Sequence, residues 1–233
     1  MKIVTVLGAR PQFIKASIVS KLIKKTNGLE EVIVHTGQHF DNNMSKIFFD
    51  ELKIPKPNYF LNINQLKHGE MTGQMLAEIE KILIKESPDG ILVYGDTNTT
   101  LAGSLAASKL YIPVFHIEAG LRSYNRSMPE EINRVLTDHV SSLLFCPTYN
   151  AVNNLAKEGI NNGVVHSGDV MFDLFISSIN NVKKIKDTFV LASIHRPTNT
   201  DNADNLNSII KGLEKINVET KVIMPMHPRT KKN

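Results

Sequence analysis

A single cysteine, no tryptophan and an aromatic content of 6% mark this 233-residue sequence by what it lacks. One thiol closes no disulfide within the chain and supplies no cysteine-rich metal centre. Cys146 also ends the apolar run Ser142-Leu143-Leu144-Phe145-Cys146, the setting of a small buried core residue. No apolar stretch approaches the roughly 20 residues of a membrane-spanning helix, so no membrane partner is expected. The start, Met1-Lys2-Ile3-Val4-Thr5-Val6-Leu7, runs straight into Gly8 and reads as a first strand rather than a secretory signal. A cytoplasmic protein is therefore expected. Charge of one sign is also scarce: 27 basic residues against 23 acidic ones leave a formal +4. The lysines are scattered, apart from Lys21, Lys24 and Lys25 and the terminal Lys231 and Lys232. Nucleic-acid surfaces concentrate basic side chains and aromatic readers on one face. None is visible here, whereas a mild positive balance suits a small anionic ligand.

What is present is an apolar fraction of 42% with 21% charged residues, enough for a sizeable core and not the composition of a disordered chain. The length is long for one α/β domain and short for two. Short β-branched runs alternate with helical stretches. Strands are expected over residues 3–7, 31–36, 59–63, 90–94, 113–117, 143–146 and 163–166, and helices over 13–25, 41–49, 70–86, 98–110, 130–140 and 151–158. This alternation, with nearly continuous apolar strands, predicts an α/β fold with a parallel sheet covered on both faces. Right-handed crossovers gather the carboxyl ends of the strands along one edge, where ligands bind. A helix over 173–181 and a Lys-rich linker over 181–187 then lead to a second series: strand 188–194, helix 203–217 and strand 221–224. The expected organisation is a Rossmann-type domain over 1–168, a connecting helix and linker over 169–187, and the start of a second Rossmann-like domain over 188–233. Two strands and one helix cannot bury a core alone, so that second domain is expected to be incomplete.

Ionisable residues cluster just after the expected strands. The first strand leads into Gly8-Ala9-Arg10-Pro11, with Lys15 one turn into the helix. The second leads into Gly37-Gln38-His39, the fourth into Gly95-Asp96-Thr97-Asn98, and the fifth into Glu118-Ala119-Gly120-Leu121-Arg122. The following helix opens Pro129-Glu130-Glu131, and the second series carries His195-Arg196. The first loop is neither a GxGxxG fingerprint nor a P-loop, yet a helix N-terminus with an arginine and a lysine could hold a phosphate. Asp96 occupies the place of a helix N-cap. Glu118 follows a strongly apolar strand and needs a partner, for which Arg122 is the nearby cation. Acids at 130 and 131 suit the helix dipole, which accounts for one of the two. No spacing of the type His-x-x-x-His supports a metal site.

Taken in order, the strings Gly8-Ala9-Arg10-Pro11-Gln12-Phe13-Ile14-Lys15, Thr36-Gly37-Gln38-His39, Gly95-Asp96-Thr97-Asn98-Thr99-Thr100, His116-Ile117-Glu118-Ala119-Gly120-Leu121-Arg122, Pro129-Glu130-Glu131-Ile132-Asn133-Arg134 and His195-Arg196 closely resemble the non-hydrolysing UDP-N-acetylglucosamine 2-epimerases. The resemblance implies a GT-B-like pair of Rossmann domains with the active site between them, a homodimer, and an activity that uses no metal and no NAD. It implies Asp96, Glu118, Glu130 and His195 as catalytic residues. It implies Arg10, Lys15, Gln38, His39, Arg122, Arg134, Arg196 and His227 as the substrate-binding set. Gln38, Glu130 and His227 resemble positions where some members bind a second UDP-sugar as an activator. Two features depart from the family. Thr198 stands where an acid usually follows the His-Arg pair. The family's Ser-Gly-Gly-x-x-Glu-Glu segment, which grips UDP, and its final helix would come after Asn233, so the chain is expected to stop within its second domain.

The chemistry so implied is inversion at C2 of the sugar. Expelling UDP from C1 as the C2 proton leaves gives a 2-acetamidoglucal, and reprotonation on the other face gives the manno isomer. Three carboxylates at one sheet edge can serve as base and acid when their pKa values are pushed apart, and the sequence leaves open which is which. Two other readings compete: a GT-B glycosyltransferase using a UDP-sugar, and a catalytically silent UDP-sugar-binding module.

Overall fold

The computed structural model describes residues 1–38, 54–179, 187–226 and 230–231. The helix expected over 41–49 lies outside the described residues. The chain divides into two compact units, Met1–Asn180 and Asn181–Asn233.

The first unit is a seven-stranded parallel sheet in the order β3-β2-β1-β4-β5-β6-β7. Its strands are β1 (Lys2–Leu7), β2 (Glu30–His35), β3 (Tyr59–Phe60), β4 (Gly90–Tyr94), β5 (Val114–Ile117), β6 (Leu143–Cys146) and β7 (Val164–His166). Side chains alternate across a strand, and the sequence is apolar on both registers. Val4, Val6, Val32, Val34, Ile91 and Val93 fill one layer, while Ile3, Leu7, Ile33, Leu92 and Tyr94 fill the other. Strands that are apolar on both registers need helices on both faces.

On the first of these layers lie α2 (His68–Glu86), which buries Met75, Ile79, Ile82 and Leu83, and α3 (Asn98–Lys109). Small residues let α3 lie flush on the sheet. A Cβ at Gly103 would stand 3.3 Å from Val93, tight enough that a larger side chain would lift the helix. On the other layer α1 (Arg10–Lys25) packs through Phe13, Ala16 and Ile23. The helices α4 (Pro129–Val140), α5 (Tyr149–Lys157) and α6 (Val170–Ile179) complete the unit. α6 packs against α1. Residues 170–179 thus belong with the first unit, and the division falls inside the stretch expected to connect the two domains.

The strand order reverses between β1 and β4. In open parallel sheets the loops leaving the strands on either side of such a reversal diverge to opposite faces and leave a crevice. Here those loops are the ones carrying Arg10 and Asp96.

The second unit contains β8 (Val190–Leu191) and β9 (Val222–Ile223), paired in parallel, with the short α7 (Pro197–Thr200) and the longer α8 (Ala203–Glu219). Both strands are shorter than the sequence pattern suggests. The buried Thr230 hydroxyl donates to the Ile194 carbonyl and ties the end of the described chain to this unit. Among the described residues no helix is long and apolar enough to cross a membrane.

Candidate active site

Three loops meet at the crevice, and a buried glutamine joins two of them. Gln12 Oε1 accepts from the Gly8 and Ala9 amides at 2.8 and 2.9 Å, while its Nε2 donates to the Tyr94 carbonyl and to the Thr97 and Thr100 hydroxyls at 3.0 Å. This clasp corrects one expectation. The Gly8 and Ala9 amides are spent within the chain and are not open to a phosphate, which leaves the Arg10 and Lys15 side chains as the cations at this helix start. Gly8 has no alternative: a Cβ would overlap the hydroxyls of Thr36 and Thr99.

Asp96 is not a helix cap. Thr97 caps α3, its side chain accepting from the Thr100 amide, which frees the Asp96 carboxylate for the Arg134 guanidinium. Glu118 pairs with Lys15 rather than with Arg122, although Lys15 is 103 residues away in sequence. The backbone of Glu118 lies in the left-handed region, φ +73°, a costly conformation for a residue with a side chain. Its own amide and that of Ala119 hold it there by donating to the Phe145 carbonyl at 3.1 Å. Gly95 makes room opposite: a Cβ there would stand 3.0 Å from Glu118 Oε2 and 3.4 Å from Lys15 Nζ.

The two acids at the start of α4 part company. Glu131, only 2% exposed, accepts from the Ser123 amide and hydroxyl and from the Tyr124 amide at 2.8–2.9 Å, and pairs with Arg134 at 3.2 Å. Burial works against its charge, but the Ser123 and Tyr124 bonds and the Arg134 charge win and hold its carboxyl below the usual range. Glu130 is exposed and has no ion pair among the described residues. It lines a cleft of about 240 Å³ together with Gln38, His68, Asp96, Asn98 and Asn133.

His68 escaped the sequence reading because it opens a helix instead of following a strand. Its place in the cleft is set by a chain of amides. Asn133 Nδ2 donates to the Asp96 carbonyl at 2.9 Å and to Asn98 Oδ1 at 3.2 Å, which turns Asn98 Nδ2 toward His68 Nδ1 at 3.0 Å. His68 Nδ1 is thereby an acceptor, and the ring hydrogen sits on Nε2.

With this geometry in place, comparison with known proteins settles the family. The family model described as UDP-N-acetylglucosamine 2-epimerase matches residues 21–233. The chain belongs to that family. A protein of Methanococcus maripaludis named UDP-N-acetylglucosamine 2-epimerase homolog is 54% identical, over all of this chain and 67% of its own length. The UDP-2,3-diacetamido-2,3-dideoxy-D-glucuronate 2-epimerase of Pseudomonas aeruginosa is 55% identical over 99% of this chain and 68% of its own. The crystal structure of the Methanocaldococcus jannaschii UDP-GlcNAc 2-epimerase in complex with UDP-GlcNAc and UDP superposes with a TM-score of 0.89 at 48% identity, over all of this chain and 67% of that one. The chain therefore spans about two-thirds of the length of these relatives, and its first unit carries the Rossmann-type half of their GT-B-like fold.

Among the residues expected in an epimerase of this family, the first unit brings Lys15, Gln38, Asp96, Glu118, Glu130 and Arg134 to the crevice, with Arg10 opening α1 at the same edge. Arg122 is not among them. Its guanidinium is 1% exposed and is held by Asp138 at 2.6 Å and by Glu158 at 2.7 and 2.8 Å, so the expected substrate contact gives way to an internal ion cluster. Those carboxylates also hold the Arg122 pKa above its ordinary value against the opposing effect of burial. His195 and Arg196 lie on the second unit, both exposed, just before α7. His39 and His227 fall outside the described residues. Among the described residues no group of three or more His, Cys, Asp or Glu is placed to hold a metal ion.

Proposed function

We propose that this chain inverts C2 of a UDP-2-acetamido sugar, interconverting UDP-N-acetylglucosamine and UDP-N-acetylmannosamine. The observation that carries the reading is three carboxylates in three settings at one sheet reversal: Asp96 against Arg134, Glu118 against Lys15, and Glu130 exposed at the cleft. Different settings are what separate an acid from a base. In the proposed reaction one carboxylate takes the C2 proton as the C1–O bond to UDP breaks, leaving a C1–C2 double bond. Another returns a proton to the opposite face, and UDP re-adds at C1. Arg10 and Lys15 supply positive charge for the departing diphosphate, and the family resemblance assigns His195, Arg196 and His227 to the same reaction. Gln38 and Glu130 share one cleft, which supports the further expectation of an activating second UDP-sugar. A cytoplasmic homodimer is the state the resemblance favours.

The Pseudomonas relative favours a second substrate, a UDP-sugar with a further acetamido group and a carboxylate. The test is incubation of the chain with each UDP-sugar in D₂O, followed by proton NMR. Deuterium at C2 with growth of the epimer supports the proposal and names the substrate. Sugar transfer to an acceptor without C2 exchange would instead indicate a glycosyltransferase. Binding without exchange would indicate a silent UDP-sugar module.

A further inference from the structure

The proposed chemistry has no use for His116, yet the loops carrying Asp96 and Glu118 both end on it or on its partner. His116 lies on β5 with its side chain fully buried. Its Nδ1 meets Asp138 Oδ1 at 2.7 Å and its Nε2 meets the Gly95 carbonyl at 2.8 Å. A carboxylate and a carbonyl only accept, so each ring nitrogen must donate and both carry hydrogen. Asp138, equally buried on α4, then uses Oδ2 to accept from the Gly120 amide at 3.0 Å and from Arg122 Nη1 at 2.6 Å. Gly95 is the residue before Asp96, and Gly120 is two after Glu118.

These bonds act where the backbone most needs support. Gly95, Glu118 and Gly120 all have left-handed φ values, +63°, +73° and +78°. The Gly95 and Glu118 amides continue the sheet by donating to the Ile117 and Phe145 carbonyls at 3.0 and 3.1 Å, whereas the Gly95 carbonyl and the Gly120 amide turn to His116 and Asp138. The clearance between them is small, since a Cβ on Gly95 would already stand 3.0 Å from Glu118 Oε2. A displaced Gly95 peptide would therefore be felt at both carboxylates. Well-packed apolar residues hold a core at least as well as buried ions do, so core stability alone does not call for a carboxylate and two cations here.

We propose that His116 and Asp138 are positioning residues, a buried ion pair that sets the separation of the Asp96 and Glu118 carboxylates by fixing the Gly95 and Gly120 peptides. The catalytic consequence rests on the proposed epimerase reading, whereas the structural part stands without it.

The experiment uses the 233-residue chain and three variants: Asp138→Asn, His116→Gln, and Glu158→Gln as a control. Glu158 shares the ion cluster through Arg122 but bonds neither loop. Nitrogen-15 NMR of wild-type His116 should show hydrogen on both ring nitrogens at pH 7.5, and a bare nitrogen would overturn the proposal. Asp138→Asn and His116→Gln should speed amide exchange at residues 95–97 and 118–121. Turnover at C2 should fall on the order of 10²-fold, as expected for a misplacement near 1 Å, with KM little changed. Glu158→Gln should lower the melting temperature and leave kcat and both loops as they were. Unchanged loop exchange in a folded Asp138 or His116 variant overturns the idea, as does an equal loss of kcat in the control. If neither variant folds, the wild-type ring spectrum decides. If wild type shows no C2 exchange, the epimerase reading fails, while the spectrum and the exchange data still decide the positioning role.

Discussion

At the scale of single residues the site is defined by which charge meets which. Asp96 and Glu118 each meet one cation and Glu130 meets none among the described residues. Replacing the carboxylates one at a time, as Asp96→Asn, Glu118→Gln or Glu130→Gln, should lower kcat by about 10²–10⁴ if the residue moves a proton, with substrate affinity nearly kept. Near-normal kcat removes that residue from the catalytic set.

His35 gives a second prediction at this scale. Burial pushes its pKa down from 6.5 to about 4, and its Nδ1 accepts from the Gly37 amide at 2.9 Å. The unfolded chain therefore takes up this proton before the folded one does. The neutral ring's contribution is whole above pH 6.5 and is lost as pH falls toward 4. At the bottom of that window the loss reaches about 3 kcal/mol. Urea unfolding at pH 7 and pH 4.5 should show a shallower decline for His35→Gln than for wild type, and parallel declines would contradict this.

At the scale of elements, α4 organises the crevice. One helix supplies Glu130 to the cleft, Arg134 to Asp96, Asn133 to the Asp96 carbonyl and Glu131 to the loop at residues 123–124. Glu131→Ala should cost about 1–3 kcal/mol, because it leaves the part-buried Ser123 and Tyr124 amides without their acceptor. Chemical unfolding measures this, and a loss under about 1 kcal/mol would mean that water replaces the carboxylate. Expectation and structure differ most at this scale. Helix and strand positions in the first unit follow from periodicity, because apolar spacing is a local property. Choosing between Glu130 and Glu131 needed the loop that folds back onto Glu131. Recognising Gln12 as a clasp required two loops more than 80 residues apart to be brought together.

At the scale of the whole molecule, the core shields its one thiol. Cys146 is fully buried, and burial pushes its pKa up to about 11. A thiolate-specific reagent should label the folded chain far more slowly than the urea-unfolded one. The labelling rate then reports opening of the sheet around β6. Comparable rates in both states would show that β6 opens readily.

The sequence by itself determined the parallel sheet, the edge at which ligands gather and the strand ends that place Asp96 and Glu118 there. These follow from residue order, from local periodicity and from the handedness of crossovers, none of which needs a distant partner. Only the tertiary structure decided that Lys15 and not Arg122 faces Glu118, that Thr97 and not Asp96 caps α3, and that Arg122 turns inward to Asp138 and Glu158. In each case several partners compete for one charge or one cap. The winner is set by where a strained loop at Glu118 or a caught peptide at Gly95 points the side chain, and that direction is fixed by contacts from segments far away in the chain.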